Sequence, residues 1–306
     1  MSCLNNFMTN NIKKLITHNG SFHSDDIFAA AALSLMLEKG GEGFEIIRTR
    51  DPEAIKTGDF VFDVGGIYDA VKNRFDHHQV GGAGKGAEDI EYASFGLVWK
   101  KFGEMLAGGK KAAEIINKRL CAPVDAWDNG IDLVENKYEI RPYYIQNIFF
   151  AMHPTWKEEN LNIDDVFLKC VEVAKNVLTR EIIQARDMLE AEAAVIYAYN
   201  NSTDKRIIIL DKNYPFEYTL TAFPEPLFAV YPRRTEGNWG VKAIRKNLGT
   251  FENRKNLPSS WGGVREDELQ KITAVNDAVF CHHSLFVAAA KSKEGAIKLA
   301  QIAVES

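Results

Sequence analysis

His18 and His23 stand just ahead of a pair of carboxylates, Asp25 and Asp26, and Asp76-His77-His78 brings the same two residue types together again further along. Four of the seven histidines fall within the first 78 residues, each close to a carboxylate. Imidazole and carboxylate together suit Mn²⁺, Fe²⁺ or Zn²⁺, and carboxylate-rich sites with open positions admit Mg²⁺ or Mn²⁺ carrying water and a phosphate. Hydrolysis of a phosphate ester is therefore the leading chemistry. His18, His23, Asp25, Asp63, His77 and one of Asp125 or Asp128 make a ligand set large enough for two divalent ions. Ions in such sites stand about 3.5–4 Å apart, share a bridging carboxylate and generate a metal-bound hydroxide for in-line attack on phosphorus. Asp63, central in the order, is the candidate bridge. Taken singly these residues have ordinary explanations: Asp25 can cap a helix, Asp63 can start a turn, and Asp125 and Asp128 can be solvated. Their joint occurrence at the ends of predicted elements is what points to metal.

The elements that must position them follow from the pattern of apolar residues. Lys14–Thr17 reads as a short buried strand and Asp25–Lys39 as a helix, with Ile27, Ala30, Ala31, Leu33, Leu35 and Leu37 on its apolar face. Phe44–Thr49 and Asp59–Asp63 read as further strands, the second stopping at Gly65-Gly66. Ligands of open parallel sheets collect outside the carboxyl ends of the strands, which is where Asp63 and the turn after Phe75 fall. Gly81-Gly-Ala-Gly-Lys-Gly86 fails the Walker pattern, which needs glycine where Gln79 stands and Ser or Thr where Gly86 stands. It reads as a mobile glycine-rich lid or linker, with Lys85 a candidate substrate contact. Ser94–Met105 and Lys110–Leu120 read as helices leading to a carboxylate-bearing turn, Pro123-Val-Asp-Ala-Trp-Asp-Asn-Gly130.

From Ile163 to about Asn200 there is no glycine or proline, so a long connecting helix or a broken pair is expected. Arg206–Leu210, Leu227–Tyr231 and Trp239–Ile244 are strand-like, and Glu266–Ile272 and Lys293–Ala303 helical. The fold class expected is α/β, a parallel-sheet metal-binding domain over 1–162 joined by a helix over 163–200 to a smaller α/β substrate-binding domain over 201–306. Arg233, Arg234, Lys242 and Arg245 are candidates for holding phosphates, with Trp239 or Trp261 available to stack a base. His153 is expected to shape a loop.

The 306 residues, 46% hydrophobic and 26% charged, are those of a globular protein, with no apolar run near the roughly 20 residues of a membrane helix. Met1–Lys14 lacks the features of a secretory signal and reads as a short disordered leader, with a cytoplasmic address as the default. Cysteines 3, 121, 170 and 281 are too scattered for a Cys-x-x-Cys pair and fit a reducing compartment. The net charge of −5 argues against a general nucleic-acid coat protein; residues 196–306 nevertheless carry +3 and the remainder −8, so the acidic part can hold metals and the basic part a phosphate-bearing substrate.

Asp-His-His after a strand, with an upstream histidine and acidic motif and a downstream aspartate, resembles the DHH phosphoesterase superfamily. More narrowly, Thr17-His-Asn-Gly-Ser-Phe-His-Ser-Asp-Asp26, Asp63-Val-Gly-Gly-Ile-Tyr-Asp69, Phe75-Asp-His-His-Gln79, Ser94-Phe-Gly-Leu-Val-Trp99 and Val124-Asp-Ala-Trp-Asp-Asn-Gly130 resemble the melanocyte proliferating gene 1 family, nearly end to end. The resemblance implies a metal-dependent phosphodiesterase, the narrower family being associated with 3′-to-5′ exonuclease action on RNA, and two domains facing each other across a cleft. It implies metal ligation by His18, His23, Asp25, Asp63 and His77, with His78 on a substrate phosphate, where many superfamily members have Asp-x-Asp in place of His23-Ser-Asp25. Of the last pair, Asp125 is slightly preferred to Asp128. Asp76 is expected to be an orienting carboxylate of the kind that fixes an imidazole's tautomer. Phe280-Cys-His-His-Ser-Leu-Phe286 resembles the family's segment ending in Gly-Gly, which makes His282 a substrate contact and sets Ala288-Ala289 where glycines are expected.

The expected protein is thus a hydrolase using two Mn²⁺ or Mg²⁺ on RNA or a short oligonucleotide. Two other readings compete with it: a small-molecule phosphatase or pyrophosphatase, and a noncatalytic, metal-stabilised RNA-binding protein.

Overall fold

The computed structural model describes residues 12–234 and 237–306. Cys3 and most of the expected leader lie outside the described residues, but Lys13 and Lys14 already belong to the first strand. The chain divides into two compact units, 1–186 and 187–306.

The first unit is built on a five-stranded sheet. Strand β1 (Lys13–Thr17) leads into helix α1 (Ser24–Gly40), β2 (Phe44–Arg48), the short α2 (Pro52–Lys56) and β3 (Phe60–Phe62); β4 (Tyr68–Asp69) and β5 (Arg74–Phe75) follow. The order is β2-β1-β3-β5-β4. The β1/β2, β1/β3 and β3/β5 pairs are parallel and only β4, at the edge, is antiparallel. Parallel pairing puts the carboxyl ends of β1, β3 and β5 on one edge of the sheet, as the strand pattern predicted.

Helices α3 (Ser94–Ala107), α4 (Lys110–Ile116), α5 (Ala122–Asp128) and α6 (Ile145–Met152) complete this unit, and α7 (Ile163–Asn201) begins in it. Helix α1 carries Ala29–Ala32 fully buried; these small side chains let α3 pack closely, with Phe28 stacked on Phe95 at 5.1 Å and Phe149 of α6 edge-on to Phe28 at 5.7 Å. A π-helical turn, Asn117–Cys121, joins α4 to α5 without a break. The segment expected to be a carboxylate-bearing turn is therefore helical. Pro123 does not prevent this: it stands at the start of α5 directly after the π-helical turn, where the regular hydrogen-bond pattern is already shifted.

With no glycine or proline to interrupt it, α7 runs unbroken for 39 residues, and the division between the two units falls inside it, after Arg186. Arg186 closes the C-terminus of α3, donating from Nε to Ala107 O at 2.6 Å and from its terminal nitrogen to Leu106 O at 2.9 Å.

The second unit holds β6 (Ile207–Ile209), α8 (Glu217–Thr221), β7 (Phe228–Pro232), β8 (Trp239–Ala243), α9 (Glu266–Thr273), β9 (Ala278–Cys281), β10 (Val287–Ala290) and α10 (Lys293–Glu305). Its sheet runs β6-β7-β8-β10-β9 and is antiparallel except for β6/β7. Its core gathers Phe228, Val230, Val241, Leu269 and Leu299. Ala288 and Ala289, which stand where the resemblance expects glycines, lie inside β10 between β8 and β9, both fully buried. A methyl group fits a strand interior, where glycine would weaken it. Trp261 belongs to this core, so it is not free to stack a base. Among the described residues no helix is long and apolar enough to cross a membrane, and Cys121, Cys170 and Cys281 are buried free thiols.

Candidate metal centre

Each of the three parallel strands hands its next residues to the same edge: β1 delivers His18, β3 delivers Asp63 and β5 delivers Asp76, His77 and His78. The first turn of α1 adds Asp25 and Asp26, with His23 as its cap, and the end of α5 adds Asp128. Three groups result, His18–Asp26–Asp63 and Asp63–His77–His78, which overlap, and His23–Asp25–Asp128, each with ligand atoms within 4.8 Å of one another.

Asp63 is the shared member. His18 Nε2 lies 3.0 Å from its Oδ2, and His77 Nε2 lies 3.3 Å from its Oδ1. His77 Nε2 is also 3.2 Å from Asp128 Oδ2 and 4.0 Å from Asp25 Oδ2, which ties the third group to the others. His18 Nε2 is 3.3 Å from Asp26 Oδ2, and His23 Nδ1 is 3.7 Å from Asp128 Oδ1. The Asp63 backbone adopts φ +55°.

Carboxylates this close and this buried shape one another's ionisation. Burial alone would raise the Asp63 carboxyl, but hydrogen bonds with His18 and His77 hold it well below the usual carboxylate range. Burial, followed by the neighbouring charge of Asp63, pushes Asp25 well up, and burial raises Asp26. Burial would lower His18, yet its bonds to Asp26 and Asp63 push it up to about 10; His77 is pushed up to about 10 by Asp128 and Asp63 against the same opposing burial.

The donor set fits a divalent metal on an independent count. Asp25 Oδ1 is buried and has no hydrogen-bond partner, although such atoms are nearly always satisfied. Imidazole nitrogens with a majority of carboxylate oxygens are the ligand chemistry of Mn²⁺ and Mg²⁺ more than of soft ions.

Asp125, slightly preferred as the last ligand, takes a different place. Asp125 does not join the cluster: its Oδ1 accepts from Gly96 N at 2.9 Å, so the carboxylate is spent on the amino end of α3. Gly96 is required there, because a Cβ would sit 1.8 Å from Asp125 Oδ2. Burial then pushes the Asp125 carboxyl well up. Asp128, one turn further along α5, brings its carboxylate to the cluster instead. The imidazole that Asp76 orients is that of His78: its Oδ1 bonds His78 Nδ1 at 2.7 Å and accepts from the amides of His77 at 2.8 Å and His78 at 3.2 Å, while Oδ2 accepts from Gly66 N. That bond raises the His78 imidazole, whose Nδ1 also stands 3.6 Å from Asp63 Oδ1.

Two participants were missed in the sequence. Asp26 escaped because a single metal role was given to the Asp25-Asp26 pair; consecutive residues in a first helical turn face different neighbours, and Asp26 Oδ1 also accepts from His23 N at 3.0 Å. Ser94, the first residue of α3, donates from Oγ to Asp63 Oδ1 at 3.1 Å and from N to Asp25 Oδ2 at 3.4 Å. A serine opening a helix that faces the strand ends was the available signal.

Comparison with known proteins places this edge in a family. Residues 14–304 match the family model MYG1_exonuc, described as Uncharacterised protein family (UPF0160). The chain belongs to the MYG1 exonuclease family. MYG1 exonuclease of Bos taurus is 28% identical over 93% of this chain and 83% of its own length, that of Homo sapiens 27% over 93% and 84%, and the MYG1 protein of Dictyostelium discoideum 29% over 94% of each. Among solved structures, RecJ from Thermus thermophilus in complex with Mn²⁺ aligns with a TM-score of 0.27 at 13% identity, covering 96% of this chain and 52% of that one, about half its length. An exonuclease RecJ bound to manganese aligns at 0.25 and 13%, over 96% and 91%. As a member of the MYG1 exonuclease family the chain is a hydrolase.

The remaining expected contacts of this MYG1 family member are dispersed. Lys85 is exposed, its ammonium 3.2 Å from Asp89. In the second unit Arg233 and Arg234 line a cavity of about 600 Å³ with Asp187, Glu190, Asp211 and Tyr214. Lys242 pairs with Glu217, and Arg245 lies over the Phe251 ring at 5.0 Å. His282 packs against His283 and Phe286, its Nδ1 accepting from Ser284 N at 3.1 Å. Trp239 carries the Lys293 ammonium 5.5 Å above its ring.

Proposed function

We propose that the protein is a phosphodiesterase that removes nucleotides 3′-to-5′ from RNA or short oligonucleotides, with two Mn²⁺ or Mg²⁺ held by His18, His23, Asp25, Asp26, Asp63, His77 and Asp128. The observation that carries this reading is Asp63, reached by imidazoles from both sides, His18 on Oδ2 and His77 on Oδ1, as a carboxylate bridging two ions must be. Bound divalent ions supply charge stabilisation at phosphorus and a more acidic water. The protein's own residues do the rest. His78, more exposed than His77 and steadied by Asp76, is placed to meet a non-bridging phosphate oxygen. Ser94 fixes the rotation of the Asp63 carboxylate. Lys85, Arg233, Arg234, Lys242, Arg245 and His282 are proposed as contacts to the rest of the substrate, with Lys242 having first to leave Glu217.

The test is a side-by-side assay of short RNA, the matching DNA, a dinucleotide and inorganic pyrophosphate with Mn²⁺. Shortening of RNA from its 3′ end, lost in Asp63→Ala together with Mn²⁺ uptake, is the expected result. Turnover of pyrophosphate alone would replace this reading with a small-molecule phosphatase. High-affinity RNA binding without cleavage would replace it with a binding protein.

A further inference from the structure

The side of the metal centre formed by α5 and α6 carries aromatic rings that the fold leaves open. Trp127 immediately precedes Asp128 and is 39% exposed, its ring resting on that of Tyr144 at 5.4 Å between centroids. Phe150 is 40% exposed and meets the His23 ring edge-on at 6.0 Å. Asp128 and His23 belong to one ligand group, so Trp127 adjoins one of its members in sequence and Phe150 meets the ring of another.

We propose that Trp127 and Phe150 are a stacking platform for the nucleobases on either side of the phosphate held at the metal centre. The rings are held from behind. Phe150 also contacts His153 at 5.7 Å, and His153 Nε2 is anchored on Phe22 O at 3.0 Å. Its neighbour Phe149 is buried against Phe28 of α1. Packing thus fixes α6 while one face of Phe150 stays accessible. Every base presents a π-face, so stacking grips a strand without reading its sequence, as an enzyme that removes successive nucleotides requires. Pyrophosphate has no group for these rings to hold. The inference rests on the oligonucleotide reading above and deepens it.

The experiment compares a short RNA with an abasic ribose-phosphate oligomer of equal length, using the full chain with Mn²⁺, for the unsubstituted protein, Trp127→Ala, Phe150→Ala and Trp127→Tyr. Stacking of one base corresponds to roughly 10- to 100-fold in affinity. The expected result is that the unsubstituted protein favours the base-bearing strand by about that factor in KM, that each alanine variant loses most of the preference, and that Trp127→Tyr restores it. Calorimetric Mn²⁺ uptake by each variant establishes that the centre is assembled. Hydrolysis of RNA with the preference intact in both alanine variants would overturn the platform while sparing the exonuclease reading. Failure of the unsubstituted protein to cleave RNA would remove that reading and the platform with it. A change in native mass on substituting either ring would assign the face to a second copy of this chain, and so overturn the proposal.

Discussion

At His18 and His77 burial and charge pull in opposite directions, and charge wins: both imidazoles are pushed from 6.5 up to about 10 by the carboxylates around them. A group whose folded value lies above its unfolded one stabilises the metal-free fold fully below pH 6.5, and that contribution is lost as pH climbs through about 10. A metal ion must take the place of those protons. Uptake of Mn²⁺ at about pH 7 should therefore release protons, and affinity should rise with pH; titration calorimetry in two buffers of different ionisation enthalpy reads both, and uptake without proton release would refute the assignment. The two α5 carboxylates separate just as clearly. Asp128→Ala should abolish uptake at the His23–Asp25 group. Asp125→Ala should leave Mn²⁺ affinity nearly unchanged while lowering stability in urea by about 1–3 kcal/mol, since Gly96 N loses its partner. The ligand types were legible in the sequence, because histidines next to carboxylates at strand ends have few other uses in combination. The choice between Asp125 and Asp128 was not, because it depends on a glycine on another helix that lets Asp125 approach.

Among the elements, α3 has the largest unannounced role. Its first residue ties Asp63 to Asp25, and its third receives Asp125. Ser94→Ala should weaken Mn²⁺ binding by about 10- to 100-fold, the usual effect of removing a partner that orients a ligand, with Ser94→Thr restoring part of it; equal affinity in all three proteins would show that Asp63 needs no such support. Gly96→Ala should cost at least about 1–3 kcal/mol in thermal or urea unfolding, because the new methyl group collides with the Asp125 carboxylate. The longer elements were readable from apolar spacing: β1, α1, β2, β3, the unbroken α7 and α10 stand within a residue or two of their expected bounds. The two-residue strands β4 and β5 are too short to carry an alternation, and β10 is mostly alanine, which has little strand preference. The turn expected at Pro123 was misread because a π-helical turn just before it accommodates the proline.

On the scale of the whole molecule, every candidate ligand group among the described residues belongs to the first unit, while the second is a separate, largely antiparallel sheet with its own core. Metal should then stabilise unevenly. An ion present at about a hundred times its dissociation constant adds about 2.7 kcal/mol to the state that binds it. Chelation should increase amide exchange in β1, β3 and α1 and leave β7, β8 and β10 as they were, measured by hydrogen exchange with mass spectrometry. An equal increase in both sheets would mean that the two units unfold as one.

The backbone of Asp63 sits at φ +55°, in a region that L-residues other than asparagine and aspartate enter only at a cost. Glycine would accept the conformation but brings no oxygen, asparagine brings an oxygen without the charge, and glutamate has the charge but enters that backbone less readily than aspartate does. Conformation and chemistry, imposed independently, both favour aspartate.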